Sequence, residues 1–164
     1  MKKIRNSVFE TNSSSTHSIC ITKNNVLNDK RSEISFTIGE FGWECDTLST
    51  PYEKAQYLYT GVLANNREEL IDQIKSILDK NNISYDFQEP EFETYGDENH
   101  KYLKDGYIDH SCELGGFLDI CTDENKLMRY LFSSESFIIT GNDNDDYDVD
   151  INVNYDHEEY YKGN

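Results

Sequence analysis

A chain of 164 residues with 36% hydrophobic and 13% aromatic side chains has the size of one domain and enough apolar content to bury a core. With 32 acidic against 15 basic residues it carries a formal net charge of -17, which repels phosphate backbones and anionic membrane surfaces and so disfavours direct nucleic-acid or membrane binding. Met1-Lys2-Lys3-Ile4-Arg5 runs into polar sequence without the apolar stretch of a signal peptide, and Cys20, Cys45, Cys112 and Cys121 are scattered rather than patterned. A cytosolic protein with reduced thiols is the expectation.

In chain order, Phe9 to Ser18 is almost wholly small hydrogen-bonding side chains plus His17, bracketed by Val8 and Phe9 before and Ile19 and Ile21 after. Burying such groups without partners costs about 1–3 kcal/mol each, so the run reads as a loop pinned to a core or as a binding surface. Ser18 to Thr22 and Glu33 to Ile38 alternate and are β-branched, which suits two strands, and the Asn-rich linker between them suggests a hairpin. Thr50-Pro51-Tyr52-Glu53 combines a capping hydroxyl, a proline at the first helical position and a glutamate able to reach back. The helix that follows lays Ala55, Leu58, Tyr59, Val62 and Leu63 along one stripe. Asn66 to Glu69 caps a second helix carrying Leu70, Ile71, Ile74, Ile77 and Leu78, which ends at Asn81-Asn82.

Further on, Ile83 to Phe87, Tyr107 to Asp109 and the region Leu114 to Ile120 read as short strands, with Gly115-Gly116 as a turn. The acidic stretch Asp86 to Glu98 reads as a long loop. A third helix spans about Asp123 to Phe132, Ser136 to Thr140 is an apolar strand ending at Gly141, and Tyr147 to Val153 alternates as a half-wet strand. Helices and strands fall in separate groups, so the expected fold is α+β: one domain over residues 1–153, a mostly antiparallel sheet against two to three helices, and an acidic, tyrosine-containing tail over 154–164 that frays.

Four polar segments follow or interrupt apolar sequence: the opening run, Gly39 to Glu44, Gly106 to Ser111, and Gly141 to Asn144. Gathered at one sheet edge they would line a cleft in which His17 and His110 act as acid and base and Asp109 or Asp143 orients them. Ser14, Ser15, Glu40, Ser111, Asn142 and Asn144 would contribute binding groups, with Trp43 stacking on a flat ligand. Asn142, Asn144 and Asp146 imitate the start of a calcium loop, but Tyr147 stands where glycine is required and Val153 where the bidentate glutamate belongs. Only weak divalent-cation binding by the Asp143 to Asp150 carboxylates is expected, and no other cofactor or metal. There is no Cys-x-x-Cys pair, and Gly39-x-x-Gly42 lacks the lysine and third glycine of a phosphate loop.

The segment Arg5 to Ser18, together with Gly39-Glu40-Phe41-Gly42-Trp43-Glu44, Tyr107-Ile108-Asp109-His110 and Ile139 to Asn144, resembles small proteins of bacteriophages and low-GC Gram-positive bacteria that have no established activity. The resemblance implies a phage or mobile-element origin, a host cytoplasm and a role against host functions, and it assigns chemistry to no residue. From Asp143 onward, Asp143, Asp145, Asp146, Asp148, Asp150, Asp156, Glu158 and Glu159 stand against Lys162 alone, and those from Asp145 on are the expected partner-facing acids. Two functions are therefore open. One is an acidic module docking on a basic host protein, such as one that normally holds nucleic acid. The other is a small enzyme acting on a nucleotide-like ligand at the His/Asp/Ser cleft. The charge supports the first and the polar segments the second, and oligomeric state is left open.

Overall fold

Thr50 sets the start of the central helix. Its Oγ1 accepts from Glu53 N at 3.3 Å while Glu53 Oε2 accepts from Thr50 N at 2.9 Å and Ser49 N at 3.1 Å, a reciprocal capping box with Pro51 at the first helical position. In this computed structural model, which describes residues 15–42, 44, 46–94, 101–109, 114–142 and 158–163, helix α1 spans Pro51–Ala64. It buries Ala55, Leu58, Tyr59, Val62 and Leu63, as the periodicity requires, and Lys54 and Tyr57 as well. Helix α2, Glu69–Lys80, buries Leu70, Ile74 and Leu78 and half-buries Ile71 and Ile77. It begins without a side-chain cap: Asn66, at φ 52°, turns the chain in a left-handed conformation that asparagine tolerates, and no capping bond from Asn66 to Glu69 forms.

The main sheet contains β1 (Ser15–Thr22), β4 (Thr47–Leu48), β9 (Phe137–Asn142) and β10 (Glu158–Gly163) in the order β10-β1-β9-β4, all antiparallel. Strand β2 (Glu33–Phe36) pairs in parallel with β5 (Ser84–Phe87), and β3 (Glu40–Phe41) in parallel with β8 (Tyr107–Ile108). Strand β6 (Phe92–Thr94) pairs antiparallel with β7 (Lys101–Leu103). The β2–β5 pair is parallel because α1 and α2 lie between its strands and supply the long crossover such pairing needs. Helix α3 (Gly115–Leu118), a 3-10 turn (Asp119–Thr122) and α4 (Glu124–Phe132, capped by Asp123) complete an α+β fold with mostly antiparallel sheets.

Several expectations are corrected. β1 and β2 form no hairpin, because the linker is tied elsewhere: Asp29 N donates to Phe132 O at 2.9 Å, and Asn28 exchanges hydrogen bonds with Ser134. Leu114 to Ile120 is helical, not a strand with a Gly-Gly turn. Leu114, Phe117, Leu118 and Cys121 recur at helical spacing and are all buried. The acidic stretch read as one loop contains the end of β5 and all of β6. The frayed tail is instead an edge strand, β10, registered residue for residue on β1, with the Tyr161 ring 5.9 Å from that of Phe117. The strand expected over Tyr147 to Val153 lies outside the described residues.

Close packing of the layers is enforced at two glycines. A Cβ on Gly61 of α1 would stand 3.2 Å from Leu114 and 3.4 Å from Ile108 side-chain carbons. One on Gly106 would stand 2.2 Å from Ile38 Cγ2 and 2.7 Å from the Gly39 carbonyl oxygen, so only glycine lets β8 run against the entry to β3.

Candidate functional site

The backbone brings the described parts of the four polar segments into one neighbourhood. Ser15 and Thr16 pair with Asn142 and Gly141 across β1 and β9. Thr140 Oγ1 donates to Glu44 O at 2.6 Å and Thr140 N to Asp46 O at 3.0 Å, joining the second segment to the fourth. Glu40 and Phe41 lie beside Tyr107 and Ile108, and Asp109 N donates to Phe41 O at 2.8 Å, joining the second to the third. Tyr57 of α1 stands between: its hydroxyl is 2.8 Å from His17 Nδ1 and its ring 5.0 Å from that of Phe41.

His17 is therefore a strand residue and not part of a loop. By the pleat of β1 it shares with Ile19 and Ile21 the face turned to α1. At 2% exposure, against a Tyr57 at 0% whose hydroxyl pKa burial raises far above its usual value, it belongs to a closed polar contact within the core. Glu40 is exposed and Asp109 half-buried at the rim. Ser14, Trp43, His110, Ser111, Asp143 and Asn144 lie outside the described residues, and of Ser15 and Asn142 only the backbone register is described. Among the expected partner-facing acids, Asp145, Asp146, Asp148, Asp150 and Asp156 also lie outside, and Glu158 is described only as a strand position. Glu159 is corrected: its carboxylate meets Lys126 Nζ at 2.8 Å and Arg129 at 3.6 Å and is spent inside the fold.

Lys54 escaped the sequence reading, although its spacing from Leu58 and Val62 places it on the buried stripe. Fully buried, its Nζ donates to Ser133 O at 2.7 Å and Ser136 O at 3.0 Å, while Tyr130 Oη donates to the Lys54 carbonyl at 2.7 Å. Burial pulls its pKa down to about 8, against the opposing pull of Asp29 and Glu53. The ammonium holds the turn between α4 and β9. Thr22 N, donating to Ser136 Oγ at 3.1 Å, and Thr22 Oγ1, donating to Glu135 at 2.8 Å, hold the same turn from β1.

A second region faces solvent. A groove of about 650 Å³ runs over the outer face of β2 and β5 to the start of α1, lined among others by Arg31, Glu33, Ser35, Tyr52, Ser84 and Asp86. Beside it, carboxylates gather around α2 and β5. The Tyr85 hydroxyl donates to Asp79 at 3.3 Å, and burial, with Asp79 and Asp72 nearby, raises its pKa. Burial, with Glu89 and Glu68 nearby, does the same to Tyr59. All of Glu68, Asp72, Asp79, Asp86 and Glu89 are exposed. Among the described residues no three His, Cys, Asp or Glu side chains are grouped to hold a metal ion, and no helix is long and apolar enough to cross a membrane. No protein-family model, curated protein or solved structure matches this chain.

Proposed function

We propose that this chain is an acidic binding protein of phage or mobile-element type that docks on a basic site of a host protein, one that ordinarily holds nucleic acid. The observation that carries the reading is how the fold sorts its charges. Lys54 is withdrawn from the surface altogether, and Glu159 alone engages both Lys126 and Arg129. Arg67, Lys80 and Lys104 are paired with Glu69, Glu124 and Glu91. Pairing leaves the net charge of the chain unchanged, and the burial of Lys54 takes one cation off the surface, which among the described residues carries exposed carboxylates around α2 and β5. Such a field accelerates encounter with a cationic partner and makes association salt-sensitive. A cationic groove evolved for phosphates is the surface that a dense array of carboxylates fits best.

The test is capture from host lysate on immobilised protein. Basic nucleic-acid-binding proteins should be retained at low salt and released by high salt or by competing duplex DNA. If the column holds no basic protein at low salt, or if bound proteins ignore the DNA competitor, the reading is wrong.

A further inference from the structure

Among the described residues β2 is paired on one side only, with β5. Ser84 N donates to Ser32 O at 2.9 Å and Gln88 N to Phe36 O at 2.9 Å. The even-numbered residues of β2 therefore turn their peptide groups to β5, and those of Glu33 and Ser35 point away, N–H and C=O together. Among the described residues no strand lies beyond that edge. Its far end is closed: Gln56 Nε2 donates to Thr37 Oγ1 at 3.0 Å and Ile38 O at 3.2 Å, and Tyr52 Oη lies 3.0 Å from Thr37 Oγ1. Its near end, at Glu33, opens on the groove, whose wall also carries the half-exposed ring of Tyr52.

We infer that this edge receives an extended, lysine- or arginine-bearing segment of the partner as an added strand, lying in the groove between β2 and Tyr52. The inference rests on the acidic-docking reading and says where and how docking happens. An open strand edge is a template for an extended backbone, and here Glu33 and Ser35 offer two donors and two acceptors. The register puts Glu33 beside Ser84 and Ser35 beside Asp86, so both carboxylates stand on the same solvent-facing side as the groove. They outnumber Arg31, the one cation among the described lining residues. The exposed Tyr52 ring offers a face to an ammonium or guanidinium. A second copy of the chain is a poor occupant, since two bodies of net charge -17 repel, and a phosphate backbone is repelled for the same reason.

The probe is a fluorescent seven-residue peptide of alternating lysine and valine, compared with the same peptide N-methylated at every amide, which keeps the charge but cannot pair as a strand. Anisotropy titration at low salt should show the methylated peptide binding the unaltered protein about tenfold or more weakly. Ser35→Pro puts ring carbons in place of an outward N–H, and it and, separately, the Glu33→Gln, Asp86→Asn double variant should each weaken the unmethylated peptide by about the same factor, with thermal unfolding checking that each variant is folded. Equal affinity for the two peptides overturns strand addition even should a variant fail to fold, and salt-sensitive binding would then leave acidic docking standing. An unchanged affinity in folded variants places docking elsewhere and overturns the inference too. If neither peptide binds at low salt, the inference and the acidic-docking reading both fall.

Discussion

Lys54 is where the sequence's local logic and the folded environment diverge most. In the unfolded chain its amine titrates near 10.5, and in the core at about 8. Between those values the unfolded state holds a proton that the folded state has lost, so stability rises with pH through that window. Two opposing effects begin slightly higher. Burial pushes the Cys121 thiol from 9.0 up to about 12, and it holds the phenols of Tyr57 and Tyr130 far above 10.0. In each case the folded state keeps a proton that the unfolded state releases, so stability falls as pH climbs beyond 9 and then 10. The expected outcome is a denaturant midpoint that rises from about pH 8 and peaks near pH 9. In Lys54→Met the rise should vanish and only the alkaline fall remain. Urea titrations of both proteins across pH 6.5 to 10.5 check this, and a midpoint in the unaltered protein that is flat or falling from pH 7 to 9 would contradict the assignment.

At the level of elements, local chemistry was well marked wherever a single segment carries its own instructions. The α1 capping box needs only four atoms of two residues, Thr50 and Glu53, three positions apart, and the buried stripes of α1 and α2 follow from spacing alone. Misreadings occurred where partners decide. Glycines at 115 and 116 suggested a turn, yet Leu114, Phe117, Leu118 and Cys121 repeat at helical intervals and bury together, so packing overrides the weak propensity of glycine. The tyrosine-rich end looked frayed because chain ends are usually loose unless anchored. It is ordered by backbone pairing to β1 and by Lys126 and Arg129 gripping Glu159. Deleting residues 158–164 should bare the β1 edge and strand those two cations. We expect a lower thermal midpoint and self-association, read by calorimetry and light scattering, whereas an unchanged midpoint would mean that β10 contributes nothing to the fold.

For the whole molecule, the charge excess that favours cationic partners also opposes compaction, since exposed carboxylates crowd around α2 and β5. Added monovalent salt should therefore raise the unfolding temperature from its low-salt value while weakening partner association, two responses of opposite sign from one field. Melting curves across a sodium chloride series check the first, and a midpoint insensitive to salt would show that the surplus is too dispersed to matter.

Composition, charge, helix starts and helical stripes were fixed by residues close together in the chain, because capping and amphipathic periodicity act over three or four positions. So was the α+β class, since the strongly periodic segments declare helix or strand by themselves, even though Leu114 to Ile120 did not. Tertiary structure alone decided that His17 is locked against Tyr57, that Lys54 is buried beneath the α4–β9 turn, that Glu159 is neutralised from within, and that β2 finds β5 with its other edge unpaired among the described residues. Each of these depends on groups far apart in sequence, which meet only once loop closure has been offset by the burial of a shared core.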